Sequence, residues 1–143
     1  MTGFSPTRGG ALLVPSGPTH DPDRKHLYVL LTDPVGQGQQ ILMVPICSVE
    51  PDKFCDDTCL LAVGEHQFLQ HESYVAYAKC RVEAALHVLN LVGSGYFIPK
   101  DPLSDSIVVR MCNGLATSKF VKPFVRDFYR DYEQSLLRAS NAE

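Results

Sequence analysis

The chain has 143 residues, 45% of them hydrophobic and 20% charged, which suits one compact domain with a water-excluding core. No stretch approaches the ~20 apolar residues that cross a bilayer, and the Gly and Pro content is too low for a collagen-like chain, so membrane-spanning and fibrous classes are excluded. Thirteen Lys and Arg against sixteen Asp and Glu give a net charge of −3, which argues against coating nucleic acid through bulk charge while leaving a local basic cleft open.

In chain order, Ala11–Val14 reads as a short first strand, followed by a loop from Pro15 to Asp23 that is too rich in Pro, Gly and Asp to pack regularly and is expected to be mobile. His26–Thr32 and Gln40–Cys47 are β-branched and aromatic runs joined by Asp33–Gly38, the clearest β-hairpin in the chain. Pro45 cannot donate to a ladder, so it is expected at an edge, a bulge or a strand end. Cys59–Val63 is a further short strand, and Tyr74–Lys79 and Cys80–Leu86 follow as strands, although Glu83–Leu86 also fits the start of a helix. After Pro99, Asp101–Ser104 supplies a helix start, and Ile107, Val108, Met111 and Leu115 recur at helical spacing, with Gly114 read as the stop. A last helix begins near Pro123 with Phe124, Phe128, Tyr132 and Leu136 on one face. Five or six short strands and then one or two helices predict a small, strongly curved sheet or barrel closed by a helix, because short antiparallel strands must hide their edges.

Charge is uneven along the chain. Residues 50–72 hold six acids against Lys53 alone, whereas residues 73–143 carry nine bases and seven acids. The five cysteines, an odd count, and the lack of an apolar leader in Met1–Gly10 point to a reducing compartment, so a cytoplasmic location is expected.

Four groups of residues could carry chemistry. The first is Arg24-Lys25-His26 at the mouth of one hairpin strand, opposite the end of its partner at Cys47-Ser48. A cation and a hydroxyl or thiol on one rim are the minimum for holding a phosphate and stabilising the charge that builds on it; the ordinary alternative is a solvated strand start and a plain turn. The second is Cys55-x3-Cys59-x6-His66-x4-His71, four residues able to ligate zinc, although a thiol beginning an apolar strand also reads as a small core residue. The third is the loop Gly64–Phe68 with His71–Tyr74, where His66 and His71 could move protons or sit as structural histidines. The fourth is the stripe Lys122, Arg126 and Arg130, which either docks an acidic partner or forms a salt-bridged face with Asp127, Asp131 and Glu133. No P-loop, dinucleotide glycine fingerprint, nucleophile elbow or His-Glu-x-x-His is present.

The order of these elements resembles the MazF/PemK family of toxin–antitoxin ribonucleases over roughly residues 10–116. In that family a basic residue precedes an apolar strand and a second apolar strand ends in a small hydroxyl residue. The corresponding segments here are Arg24–Thr32 and Ile41–Ser48, with Ser73–Arg81 similar to a later strand and Leu103–Leu115 similar to the family's helix. The resemblance implies an SH3-like barrel of five to seven short antiparallel strands with a helix over residues 1–116, and residues 117–143 as a helical extension of the same domain. It also implies metal-independent cleavage of single-stranded RNA without a cofactor. Arg24 or Lys25 would stabilise the phosphorane, Ser48 or Cys47 would orient the phosphate, and His26 or His66 would move protons, with His71 and Arg81 also contacting substrate. The partners implied are single-stranded RNA, an antitoxin protein and a second copy of the chain, paired through exposed apolar residues around Phe97. The rival expectations are a non-catalytic module whose groove and last helix hold another protein, and a small zinc-stabilised protein.

Overall fold

The structure, a computed structural model, describes residues 4–141; Met1–Gly3, part of the segment read for a leader, lie outside the described residues. Seven antiparallel strands form one sheet: β1 (Ala11–Pro15), β2 (Lys25–Leu30), β3 (Gln40–Ser48), β4 (Leu60–Leu61), β5 (Ser73–Val75), β6 (Arg81–Ala84) and β7 (Ile98–Lys100). Three helices accompany it, α1 (Ala85–Gly93), α2 (Asp105–Thr117) and α3 (Pro123–Asn141). The strand order is β4-β5-β3-β2-β1-β7, with β6 also pairing β3. The mainly β architecture with C-terminal helices is as the sequence predicts, but β4 and β7 do not meet, so the sheet is not closed into a barrel.

The reason lies in the central strands. A closed small barrel has one apolar face turned inward, whereas β1, β2 and β3 are buried on both faces. Leu27, Val29, Leu42, Val44 and Ile46 pack with Ile107, Val108, Met111 and Leu115 of α2 and with Val125 of α3. The alternate residues Leu12, Val14, Tyr28, Leu30, Ile41 and Met43 pack with Val88 and Val92 of α1 and with Phe97. A strand apolar on both sides needs a layer on each side, and α1 supplies the second: the expected Cys80–Leu86 strand ends at Ala84, and the alternative helix start within Glu83–Leu86 is the one realised. Phe97 itself is buried in this second core, and the exposed apolar residues around it are Tyr96 and Ile98.

Pro45 sits inside β3 at the point where that strand changes partner. Gln40–Met43 pair with β6 and Ile46–Ser48 with β5, so the missing N–H falls in the gap between the two ladders and no bond is lost. The Pro15–Asp23 loop is ordered by its own backbone. Ser16 N donates to Arg24 O at 2.8 Å, Asp21 N to Pro18 O at 2.8 Å and Arg24 N to Asp21 O at 3.2 Å. Gly17 is required there, because a Cβ would run into the Asp21 carbonyl and come within 2.7 Å of Arg24 Cβ. On α3 the buried residues are Val125 and Tyr132, while Phe124 and Leu136 of the predicted face are exposed.

The acidic segment is tied to the helices by one buried carboxylate. Asp56, 2% exposed, accepts from Thr58 Oγ1 at 2.6 Å, Thr58 N at 3.1 Å and Ser118 Oγ at 2.7 Å. Ser118 also accepts from Phe120 N and uses its carbonyl to receive Arg126 Nη2. Asp56→Ala strands the buried Ser118 hydroxyl and is expected to destabilise the fold by about 2–3 kcal/mol. Urea unfolding checks this, and an unchanged midpoint would show that the segment is not held this way.

Candidate active site

The open end of the sheet is where β2 begins, β3 ends and β5 begins. Leu27 pairs with Ile46 and Ser48 with Ser73, and continuing the first register by two residues sets Lys25 opposite Ser48. Successive side chains of a strand point to opposite faces. Lys25 and Ser48 therefore extend the face of Leu27 and Ile46, while His26 and Cys47 extend the face of Tyr28.

Two clefts follow from this alternation. The first, about 410 Å³, is lined by Arg24, Lys25 and Ser48 together with Phe68, His71 and Ser73. The second, about 380 Å³, is lined by Cys47, Tyr74, Lys79, Lys53 and Phe54. Arg24, His26 and Ser48 line both, so they form the rim between them. The choice between Ser48 and Cys47 left open by the sequence is thus a choice between clefts: Ser48 reaches the one containing Lys25, and Cys47 reaches only the other.

His26 is positioned by Ser16, whose Oγ lies 2.7 Å from His26 Nδ1 and 2.9 Å from Val14 O. With its single proton given to the carbonyl, the hydroxyl can only accept from Nδ1–H, which leaves Nε2 as the ring's acceptor. Partial burial, with Lys79 and Arg24 nearby, holds the His26 pKa below its ordinary value. The sign of the consequence follows from proton counting. Between the unfolded value near 6.5 and the lower folded one, the unfolded chain binds more protons, so stability is greatest above about pH 6.5 and falls as pH drops through that window. His26→Gln is expected to flatten the slope between about pH 7.5 and pH 5.5 in urea unfolding. An unchanged slope would mean that His26 titrates alike in both states.

Burial raises the Cys47 thiol above its ordinary pKa, with Lys79 and Arg24 opposing. Tyr74 beside it is pushed up to about 12, chiefly by burial. Cys47 is therefore a protonated hydrogen-bonding group near neutrality, with little thiolate character.

Two sequence-predicted residues lie elsewhere. His66 is buried with both nitrogens committed, Nε2 lying 2.6 Å from Asp101 O and Nδ1 accepting from Phe68 N at 3.0 Å, so it is a structural histidine of the loop. Arg81, on β6, donates to Glu83 Oε1 from Nη2 at 2.9 Å and lies 5.6 Å from the Tyr28 ring centroid; it lines neither cleft. The four candidate zinc ligands are also dispersed. Cys59 belongs to the first core, Cys55 packs beside Cys47 and Tyr74, and His71 lines the first cleft. Among the described residues, no group of three or more His, Cys, Asp or Glu is placed to hold a metal ion.

The sequence reading singled out the loop that holds Phe68, which lines the first cleft, but missed Ser16, Lys79 and Phe54. Ser16 was within reach of it, because the β1–β2 register that pairs Val14 with His26 sets the next residues of β1 beside Arg24. Lys79 is delivered by a 3₁₀ turn at Tyr77–Lys79 and Phe54 by an irregular loop, and neither position has a periodic signal. Of the basic stripe, Arg130 lies 3.3 Å from Asp127 and 3.6 Å from Asp131, Arg126 donates to Ser118 O, and Lys122 precedes α3. Among the described residues no helix is long and apolar enough to cross a membrane. Comparison of the chain with models of known protein families and with curated proteins gives no match.

Proposed function

We propose that the chain is a metal-independent ribonuclease of the MazF/PemK kind that cleaves single-stranded RNA. One observation carries this reading: Arg24, Lys25, His26, Ser48 and His71 line a single cleft at the end of the sheet. Arg24 and Lys25 hold the phosphodiester, and Ser48 donates a hydrogen bond to a non-bridging oxygen. His26 Nε2 takes the proton of the ribose 2′-hydroxyl as that oxygen attacks phosphorus. The P–O5′ bond breaks as its oxygen takes a proton from His71, giving a 2′,3′-cyclic phosphate and a 5′-hydroxyl. The Arg24 guanidinium supplies the planar fork that a phosphate takes bidentately, and Lys25 adds a point charge. The partners that go with this reading are an antitoxin protein and a second copy of the chain, and the location is the cytoplasm, in keeping with five free cysteines.

Purified protein incubated in EDTA with single-stranded RNA and with DNA of the same sequence tests this directly. Cleaved RNA bearing cyclic-phosphate ends beside intact DNA is the expected result, and intact RNA would remove the proposal. The second reading is a non-catalytic module that binds another protein, favoured by Phe124, Leu136 and Leu137, which stand exposed on α3.

A further inference from the structure

The two clefts at the open end of the sheet are separated by one rim, and each has an exposed aromatic ring in its wall. Phe68, 38% exposed, lines the first, and Phe54, 61% exposed, lines the second. Phe54 is held edge-to-face by Phe120 at a centroid distance of 4.9 Å, so its exposure belongs to a fixed ring. Lys79 adds positive charge to the second cleft, where Lys53 is paired with Glu50 at 3.1 Å, and Arg24 stands on the rim between the rings. At about 410 and 380 Å³, each cleft lies within the range of small-ligand sites. An aromatic platform beside a cationic track is the arrangement that binds unpaired bases with little sequence preference.

We propose that this end of the molecule takes a dinucleotide step of single-stranded RNA astride the rim. The phosphate rests on Arg24, one base stacks on Phe68 in the first cleft, and the neighbouring base stacks on Phe54 in the second. Lys79 neutralises the next phosphate along the strand. This deepens the ribonuclease reading and rests on it. It makes the second cleft part of the substrate site and excludes duplexes, whose bases are already stacked on one another.

Fluorescence anisotropy with a labelled 2′-O-methyl single strand of about eight nucleotides, which is uncleavable, tests the inference alongside cleavage of the ordinary RNA. Phe54→Leu and Phe68→Leu are each expected to weaken binding about tenfold, with Phe54→Trp and Phe68→Trp restoring it and a duplex of the same sequence binding poorly. Where Phe54→Leu loses the Phe120 contact and melts early, Phe68→Leu alone carries the comparison. A wild-type protein that binds and cleaves the single strand, with both leucine variants within about twofold of it, would overturn the stacking arrangement and leave the ribonuclease reading standing. A wild-type protein that neither binds nor cleaves would overturn both.

Discussion

Gly114→Ala is expected to destabilise the protein by about 3 kcal/mol, the upper range for overpacking a core, and to lower Tm by roughly 10 °C for a domain of this size. Gly114 lies within α2, and a Cβ there would enter the volume of the Tyr77 ring, meeting Oη and Cζ and coming within 2.9 Å of Cε2. Tyr77 cannot withdraw. It is fully buried, and its hydroxyl donates to Met111 O at 2.6 Å. Tyr77→Phe removes the oxygen that the new methyl would strike, so the double variant is expected to be less destabilised than the sum of the two single ones. Denaturant unfolding of the three variants checks this. Additive effects, or a Gly114→Ala midpoint equal to wild type, would show that the helix and the ring are not in this contact.

Arg24→Ala is expected to lower cleavage of single-stranded RNA by about 10²–10³-fold, the usual effect of deleting one donor aimed at developing transition-state charge. The loss falls mainly on kcat, since the guanidinium matters most when charge accumulates on the phosphorane. Arg24→Lys keeps the charge, loses the fork, and is expected to fall between wild type and alanine. Lys25→Ala is expected to cost less, because Arg24 lines both clefts and Lys25 only the first. Initial rates in EDTA at fixed ionic strength provide the comparison. Equal rates for wild type and Arg24→Ala would take the phosphate away from this rim.

The sequence and the structure agree where local chemistry dictates the outcome and part where long-range packing does. The hairpin of β2 and β3 was legible because two apolar β-branched runs flank a Gly- and Pro-rich connection, and its antiparallel register was enough to place Arg24 and Lys25 near Ser48. The open sheet was only partly legible. The continuous apolar runs of β2 and β3 carried the signal for a layer on each face, but short strands with hairpin connections also read as edges that a barrel must hide. The helix α1 was legible only as the alternative start at Glu83–Leu86, because β6 passes directly into it: Ala84 is extended, Ala85 is helical, and no Gly, Pro or capping side chain marks the change. Gly114 looked like a helix stop because glycine usually serves as one, whereas here it makes room for a ring distant in the sequence. At the site, Cys47 is confined to the second cleft while Ser48 also reaches the first, as the two-residue period of a strand dictates. His66 was indistinguishable from a working histidine until its two hydrogen bonds were seen, and Arg81 lies on β6, which pairs with the other half of β3.

The location of the substrate phosphate is the claim on which the rest stands, and an NMR titration measures it. Uniformly ¹⁵N-labelled protein is titrated with the uncleavable single strand, and amide shifts are mapped residue by residue. The account predicts the largest changes at Arg24–Leu27, at Ser48 and around His71. Changes confined to α3, about the exposed Phe124, Leu136 and Leu137, or no change on addition of excess strand, would contradict it.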